Sequence, residues 1–269
     1  MTDSNPHQEF DATLTSRYEC KYLISASTAD AIRRYLSAHA VLDPFSARQP
    51  DHRYRVLSLY LDSPTLRLYW DTAQGVRNRY KLRLRYYSEE GDGPVFFEVK
   101  KRADVIVRKN REAVSRRQAN QFLLTGRCDL DQSSGNDLSE FLGRCQEAGA
   151  QPVLRLRYKR EAWQSRSIDP VRITFDTELE HCLLSDRGLR ETRPDWHTTP
   201  IDAEVILEVK FTDLRPHWLD QMLQMFQLDK VSVAKYAESI EQVSRSGRIG
   251  SLTARMALAR GRRRARGGE

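Results

Sequence analysis

The chain has 269 residues, 30% of them charged, and a formal net charge of +7. No apolar stretch reaches the roughly eighteen residues that a membrane-spanning helix needs, and the N-terminus lacks the basic-then-apolar pattern of a secretory signal. Residues 244–269 contain eight Arg and one acid, Glu269, so the tail carries the whole excess and the rest of the chain is neutral. A basic site in the body must therefore come from the arrangement of charges rather than their surplus.

Residues 1–14 are polar and aperiodic, which predicts a disordered N-terminus. A strand is predicted over Arg17–Leu23, and Ser27 reads as the N-cap of a helix to about Ala40, with Ala31, Ile32, Tyr35 and Leu36 on one face. Residues 43–53 read as loop. Strands follow at Tyr54–Leu61, Arg79–Tyr87 and Val95–Lys101, the last two joined by a turn at Asp92–Gly93–Pro94. Helices are predicted over Ser115–Leu124 and Leu138–Ala148, then strands over Pro152–Trp163, Val171–Leu179 and Ala203–Phe211. Pro216 opens a helix to about Phe226, and a last helix covers Ala234–Val243. No repeat is visible and no boundary falls inside 15–243. The Arg-rich tail, 244–269, reads as flexible, with a short helix around Leu252, Met256 and Leu258 conceivable. Cys20, Cys128, Cys145 and Cys182 lack CxxC spacing, so neither a zinc site nor a disulfide framework is expected, and a reducing cytoplasm is the expected setting.

The strands alternate, and residues two apart share a face. Lys81, Arg83 and Arg85 oppose Leu82 and Leu84. Arg155, Arg157 and Lys159 oppose Leu154, Leu156 and Tyr158. Arg172, Thr174, Asp176 and Glu178 oppose Ile173 and Phe175, while Glu98 pairs in parity with Lys100, Glu208 with Lys210, and Arg17 with Glu19 and Lys21. One such strand is explained by a sheet with one face on the core and one in water. The full set, rich in Arg and Lys with interspersed carboxylates, predicts an α+β fold whose sheet closes into an antiparallel β-barrel of about eight strands, with a cationic tunnel inside and helices packed outside. Arg forks and Lys point charges suit phosphate, and carboxylates among them would balance charge or hold a divalent cation. Facing cations repel one another when the bore is empty, so removing Arg83 or Arg172 is expected to leave the unliganded protein equally stable or more so.

The segments RYECKYLI (17–24), LSLYLDS (57–63), YKLRLRYY (80–87), FFEVKKR (96–102), QPVLRLRYKREAW (151–163), VRITFDTEL (171–179), ILEVKF (206–211) and SVAKYAES (232–239) resemble, in order and spacing, the VTC-type polyphosphate polymerase domain of the triphosphate tunnel metalloenzyme (CYTH-like) superfamily. The resemblance runs from about Arg17 to Ile240. It implies a metal-dependent transfer of the terminal phosphate of ATP to a growing polyphosphate chain. By position, Lys21, Arg83, Arg85, Lys100, Arg155 and Arg172 would grip phosphates, Lys235 would stand at one tunnel mouth, and Lys109 is a further candidate. Glu208 would hold Mn²⁺ or Mg²⁺. Lys81, Arg157 and Lys210 join the lining by alternation, and Glu19 and Glu98 would orient a Lys or the metal. Hydrolytic relatives carry carboxylates where this chain has Arg17 and Lys210, which favours transfer to phosphate over hydrolysis. A triphosphatase in the same tunnel and a non-catalytic polyphosphate or nucleotide sensor stay open as alternatives. Nucleoside triphosphate and polyphosphate are the expected partners, with a membrane protein conceivable as receiver of the product. Nucleic acid is not expected, because the body is neutral and lacks interleaved exposed aromatics.

Overall fold

The computed structural model describes residues 18–103, 106–128, 135–166, 170–184, 188–190, 194–212, 215–248 and 250. The expectations for residues 1–14, for Arg17 and for the tail past 250 lie outside them. In chain order the elements are β1 (Tyr18–Ile24), α1 (Ala26–Leu36), β2 (Ala40–Leu42), α2 (Pro44–Ala47), β3 (Tyr54–Asp62), α3 (Arg67–Ala73), β4 (Asn78–Tyr86), β5 (Val95–Ala103), β6 (Ile106–Val114), α4 (Arg116–Thr125), α5 (Asn136–Ala148), β7 (Gln151–Ser165), β8 (Arg172–Leu183), β9 (His197–Thr198), β10 (Val205–Phe211), α6 (His217–Met225) and α7 (Lys235–Arg245).

The strands form one 10-stranded sheet whose path runs β1-β10-β8-β7-β3-β4-β5-β6, with β2 added to β7 and β9 to β8. The α+β class and the large antiparallel sheet follow the sequence reading. The expected closure is not made by strand pairing, because β1 and β6 end the path. Within the sheet the chain divides into two compact units. The first takes the segment ending at Arg55 with Lys159–Glu178 and Ile201–Val233, and the second takes Val56–Tyr158, Leu179–Pro200 and the segment from Ala234. Each is assembled from non-contiguous segments, so no linker marks a boundary along the sequence.

Four local features differ from the sequence reading. Ser25, not Ser27, caps α1, its side chain accepting from the Thr28 N–H, and the helix ends at Leu36 because Ala40–Leu42 leaves to pair with β7 as β2. The supposed loop after Leu42 contains the short helix α2, capped by Asp43. Residues 106–114 form the edge strand β6, which carries charges at both parities and so shows no clean alternation. Finally, α3 was hidden because it opens without an ordinary cap: Leu66 takes φ +58 and offers no side-chain acceptor. Its first N–H groups are met from upstream instead. Ser63 Oγ accepts from Arg67 N at 2.9 Å, and the buried Asp62 carboxylate accepts from Leu68 N and Tyr69 N, each at 2.9 Å.

In the first unit, Ala29, Ile32 and Leu36 of α1 and Leu219 and Met222 of α6 pack on Tyr22, Phe175, Leu207 and Val209 of the sheet. In the second, Phe97 of β5 meets Phe122 of α4 and Phe141 of α5 at ring distances of 5.2 and 4.8 Å, over Leu82, Leu84 and Val99. Burying such side chains stabilises by roughly 1.5–3 kcal/mol each. Helix α7 instead packs through Tyr236, Ala237, Ile240 and Val243 on Tyr60, Leu154 and Leu156. It is pinned twice by polar contacts. Tyr236 OH donates to Asp62 at 2.9 Å. Ser239 lies 2.9 Å from Thr199, which lies 2.9 Å from the buried His181 ring. Burial, then the neighbours His197 and Arg248, push His181 down to about 4, so it is neutral at pH 7.

Asp62 thus caps α3 and anchors α7 at once. Asp62→Ala should cost about 3–5 kcal/mol, because buried N–H and O–H donors lose their acceptor together, whereas Tyr236→Phe should cost about 1 kcal/mol. Urea melts of the two variants check the ranking.

Candidate functional site

Strand register turns the charge alternation into rows. In the second unit, Tyr60 of β3 stands opposite Arg83 of β4, Arg83 opposite Glu98 of β5, and Glu98 opposite Arg111 of β6. The next row is Lys81, Lys100 and Lys109, and on the other side Ser58, Arg85 and Phe96 form a third. Opposed residues in an antiparallel pair share a face. Glu98 is therefore the one carboxylate on this face of β4, β5 and β6 among the described residues. The opposite face reads Leu61, Leu82, Val99 and Leu59, Leu84, Phe97, and is core.

Glu98 is fully buried and binds Arg83 Nε at 2.5 Å, with Lys109 Nζ and Arg111 Nε each at 3.5 Å. Burial alone would raise its carboxyl, but Arg83, Arg85, Lys109 and Arg111 outweigh that and hold it well below the usual carboxylate range. Arg83 Nη1 donates to Tyr60 OH at 3.2 Å, and Arg85 Nη2 donates to Tyr158 OH at 3.2 Å. The Lys235 ammonium, at the start of α7, lies 4.9 Å from the centre of the Tyr158 ring. The Arg111 guanidinium lies 3.4 Å from the centre of the Phe96 ring. Arg85 Nε, Arg111 Nε and Arg111 Nη2 are buried without a hydrogen-bond partner among the described residues. Such donors cost roughly 1–3 kcal/mol each when left unmet. Their fork geometry is met by an anion with several oxygens, such as phosphate.

In the first unit the charged rows are Glu19, Lys210, Arg172 and Lys21, Glu208, Thr174. Cations and carboxylates alternate here and neutralise one another. Lys210 Nζ lies 2.5 Å from Glu208 Oε1, Lys21 Nζ 3.5 Å from Glu19, and Arg172 Nη2 2.6 Å from Asp43. Lys21 Nζ also donates to the Val233 carbonyl at 2.9 Å. Arg160 grips Asp176 with two bonds of 2.6 and 2.7 Å. The Thr174 hydroxyl beside Glu208 is buried without a partner among the described residues.

Several sequence assignments change. Arg155 and Arg157 are expected in one bore with Arg83, but β7 turns its other face to that cluster: Tyr158, not Arg157, meets Arg85. Arg155 is 2% exposed and donates to the Gly188 carbonyl, and Arg157 binds Glu180 at 2.5 and 3.0 Å and stacks 4.2 Å from the Trp196 ring. Parity tells which residues of a strand share a face but not which face receives which cover, and Gly188 and Trp196 meet the Arg155 side. Glu19 and Glu208 share the charged face of the first unit, while Glu98 belongs to the second. Glu98 sits among three cations, a poor place for another, and no group of three His, Cys, Asp or Glu side chains among the described residues is arranged to hold a metal. Lys81, Lys100 and Lys109 do come together, as one row. Tyr60, Tyr158, Arg111 and Arg160 were missed. Tyr60 and Tyr158 carry no charge for alternation to mark, Arg111 lies on the unrecognised β6, and Arg160 shares the parity of Leu154, Leu156 and Tyr158.

The expectation that removing Arg83 or Arg172 relieves repulsion also fails, since each is bound to a buried carboxylate. Arg83→Ala and Glu98→Gln should each destabilise the unliganded protein by about 3–5 kcal/mol, as for other broken buried pairs. Because the Glu98 carboxyl is depressed on folding, its contribution is complete above the unfolded value of about 4.3 and fades as pH drops toward the folded one. Acid melts of Glu98→Gln should accordingly lack that part of the wild-type loss below about pH 4.3.

Comparison with known proteins bears on what this arrangement is for. The family model described as the VTC domain matches residues 16–244. The Vacuolar transporter chaperone complex subunit 2 of Saccharomyces cerevisiae (strain ATCC 204508 / S288c) is 27% identical over 182 residues, 57% of this chain and 22% of that protein. The chain thus spans about a fifth of the length of the curated relative it matches. A crystal structure from Bacillus halodurans, assigned as a candidate adenylate cyclase, aligns with a TM-score of 0.46 and 12% identity over 82% of this chain and 96% of its own. The PH1819 protein of Pyrococcus horikoshii OT3 aligns with a TM-score of 0.43 and 12% identity over 84% of this chain and 98% of its own.

Proposed function

This chain belongs to the VTC domain family, and on that premise we propose that it is an ATP-dependent polyphosphate polymerase, passing the terminal phosphate of a nucleoside triphosphate to a growing polyphosphate chain. The observation that carries this reading is the second unit's charged face. Among the described residues, rows of Arg and Lys surround a single buried carboxylate, and guanidinium nitrogens of Arg85 and Arg111 lack hydrogen-bond partners. Arg83, Arg85 and Arg111 hold phosphate oxygens in this reading, and Lys81, Lys100, Lys109 and Lys235 extend the grip to linked phosphates. Neutralising charge that builds on transferring and leaving phosphates is the main work of such a site.

On the first unit, Glu208, with Glu19 nearby and beside it the Thr174 hydroxyl, which lacks a partner among the described residues, suits Mn²⁺ or Mg²⁺ of the kind bound by one or two carboxylates and completed by phosphate oxygens and water. Bound there, the ion would supply charge neutralisation on phosphate oxygens. Lys21, Lys210 and Arg172 sit on the same face and would bind phosphate as Glu208 and Asp43 release them.

Transfer to phosphate fits the side chains better than hydrolysis. A polyphosphate acceptor is already ionised and needs no general base, whereas water does. The carboxylates on these faces are engaged by cations, as Glu98 is by Arg83 and Glu208 by Lys210. The same engagement favours a second reading, a polyphosphate-binding domain without turnover. The named complex of the yeast relative suggests a setting for either: partner proteins, with one at a membrane that receives the product. Among the described residues no helix is long and apolar enough to cross a membrane, so such a partner would supply the crossing.

Purified protein given ATP and Mn²⁺ should form long-chain polyphosphate. Arg85→Ala should lower turnover about 10²–10³-fold, the usual loss for one donor to transition-state charge. Glu208→Gln should also lose most activity, since an amide is the poorer ligand for a hard cation. Free phosphate as the main product would point to a triphosphatase. Stabilisation by tripolyphosphate with neither product formed would point to the binding-only reading.

A further inference from the structure

We propose that Tyr60 is a substrate contact: its hydroxyl donates a hydrogen bond to an oxygen of the phosphate held by Arg83 and Arg85. The inference rests on the reading that these arginines bind phosphate. The first argument is position. Tyr60 is 6% exposed and stands directly opposite Arg83 in the row that contains Glu98 and Arg111. The second is rigidity. Its ring stacks on Tyr236 at 4.7 Å and 9°, and Tyr236 is itself held by Asp62, so the phenol oxygen is preset before any ligand arrives.

The third argument is proton accounting. Arg83 Nη1 donates to Tyr60 OH at 3.2 Å. A guanidinium has no acceptor, so this bond uses an oxygen lone pair and leaves the phenol proton to be given elsewhere. No acceptor for that proton lies among the described residues. The charged and titratable groups that face Tyr60 are Arg83 and Arg85 from β4 and Lys235 and Tyr236 from α7, and the Glu98 carboxylate lies beyond Arg83. An anionic oxygen brought by the ligand is the acceptor these surroundings call for. Burial would raise the phenol, but Arg83, Arg85 and Lys235 together lower it, which makes its O–H a stronger donor. Among cations that attract any anion, a neutral donor of fixed direction selects for oxygen geometry.

The test is calorimetric titration of the full chain with tripolyphosphate at neutral pH. Tyr60→Phe keeps the stacked ring and should weaken binding about tenfold, the low end for a hydrogen bond to a charged group. Tyr80→Phe is the control: its hydroxyl also accepts from a guanidinium, Arg67 at 3.1 Å, and its loss should leave affinity unchanged. Arg85→Ala separates the inference from its premise. If Arg85→Ala binds as wild type does, the phosphate reading falls and this inference with it. If Arg85→Ala abolishes binding while Tyr60→Phe stays within about twofold of wild type, only the Tyr60 contact is overturned. A second measurement reads the phenol itself. Tripolyphosphate should shift to higher pH the tyrosinate absorbance step that wild type shows and Tyr60→Phe lacks, because the phenolate can no longer donate and repels the ligand. A step that stays in place or moves down overturns the proposal.

Discussion

The charged face of β4, β5 and β6 depends on the buried contact between Glu98 and Arg83. Moving a guanidinium out of water costs several kcal/mol, and several cations in one row add mutual repulsion. Glu98, fully buried and 2.5 Å from Arg83, supplies the field that makes the row tolerable. It is outnumbered all the same, since Lys109 and Arg111 share its second oxygen. What remains is a face on which cations outnumber the one carboxylate among the described residues.

The two units handle charge in opposite ways. On the first unit, Arg172 lies by Asp43, Lys210 by Glu208 and Lys21 by Glu19, so each cation of those rows has a carboxylate, as Arg160 has Asp176. On the second, Glu98 alone faces the arginines of its row, and buried guanidinium nitrogens of Arg85 and Arg111 lack hydrogen-bond partners among the described residues. Unmet buried donors are a stability cost that folded proteins otherwise avoid. Concentrated at one face, they are read as the cost of a ready-made oxyanion grip, which is why the phosphate reading is placed on Arg83, Arg85 and Arg111 first.

Helix α7 ties that grip to the core. Its apolar side packs on Leu154 and Leu156, Tyr236 reaches Asp62, and Ser239 joins the Thr199–His181 chain. Those contacts place Lys235, at the first turn, with its ammonium 4.9 Å from the centre of the Tyr158 ring. Asp62 supports both ends of this arrangement, because the same carboxylate caps α3. A buried cap and a site helix therefore share one group, and a change in either reaches the charged face through the stacked pair Tyr60 and Tyr236.

Much was legible in the sequence because strand alternation is a local property. The parity of Lys81, Arg83 and Arg85 against Leu82 and Leu84 follows from the pleat alone, and the structure keeps it. The same holds for Glu208 with Lys210 and for Glu19 with Lys21. Register and cover are different, because they depend on residues far along the chain. Only tertiary structure decided that Glu98 lies between Arg83 and Arg111, since β6 mixes charges at both parities and pairs through a register no local pattern encodes. Only tertiary structure decided that β7 turns Tyr158 toward Arg85 and Arg155 toward Gly188, because both faces of that strand are covered and alternation cannot name the cover. The sequence determined which side chains travel together, and long-range packing determined which charges each of them meets.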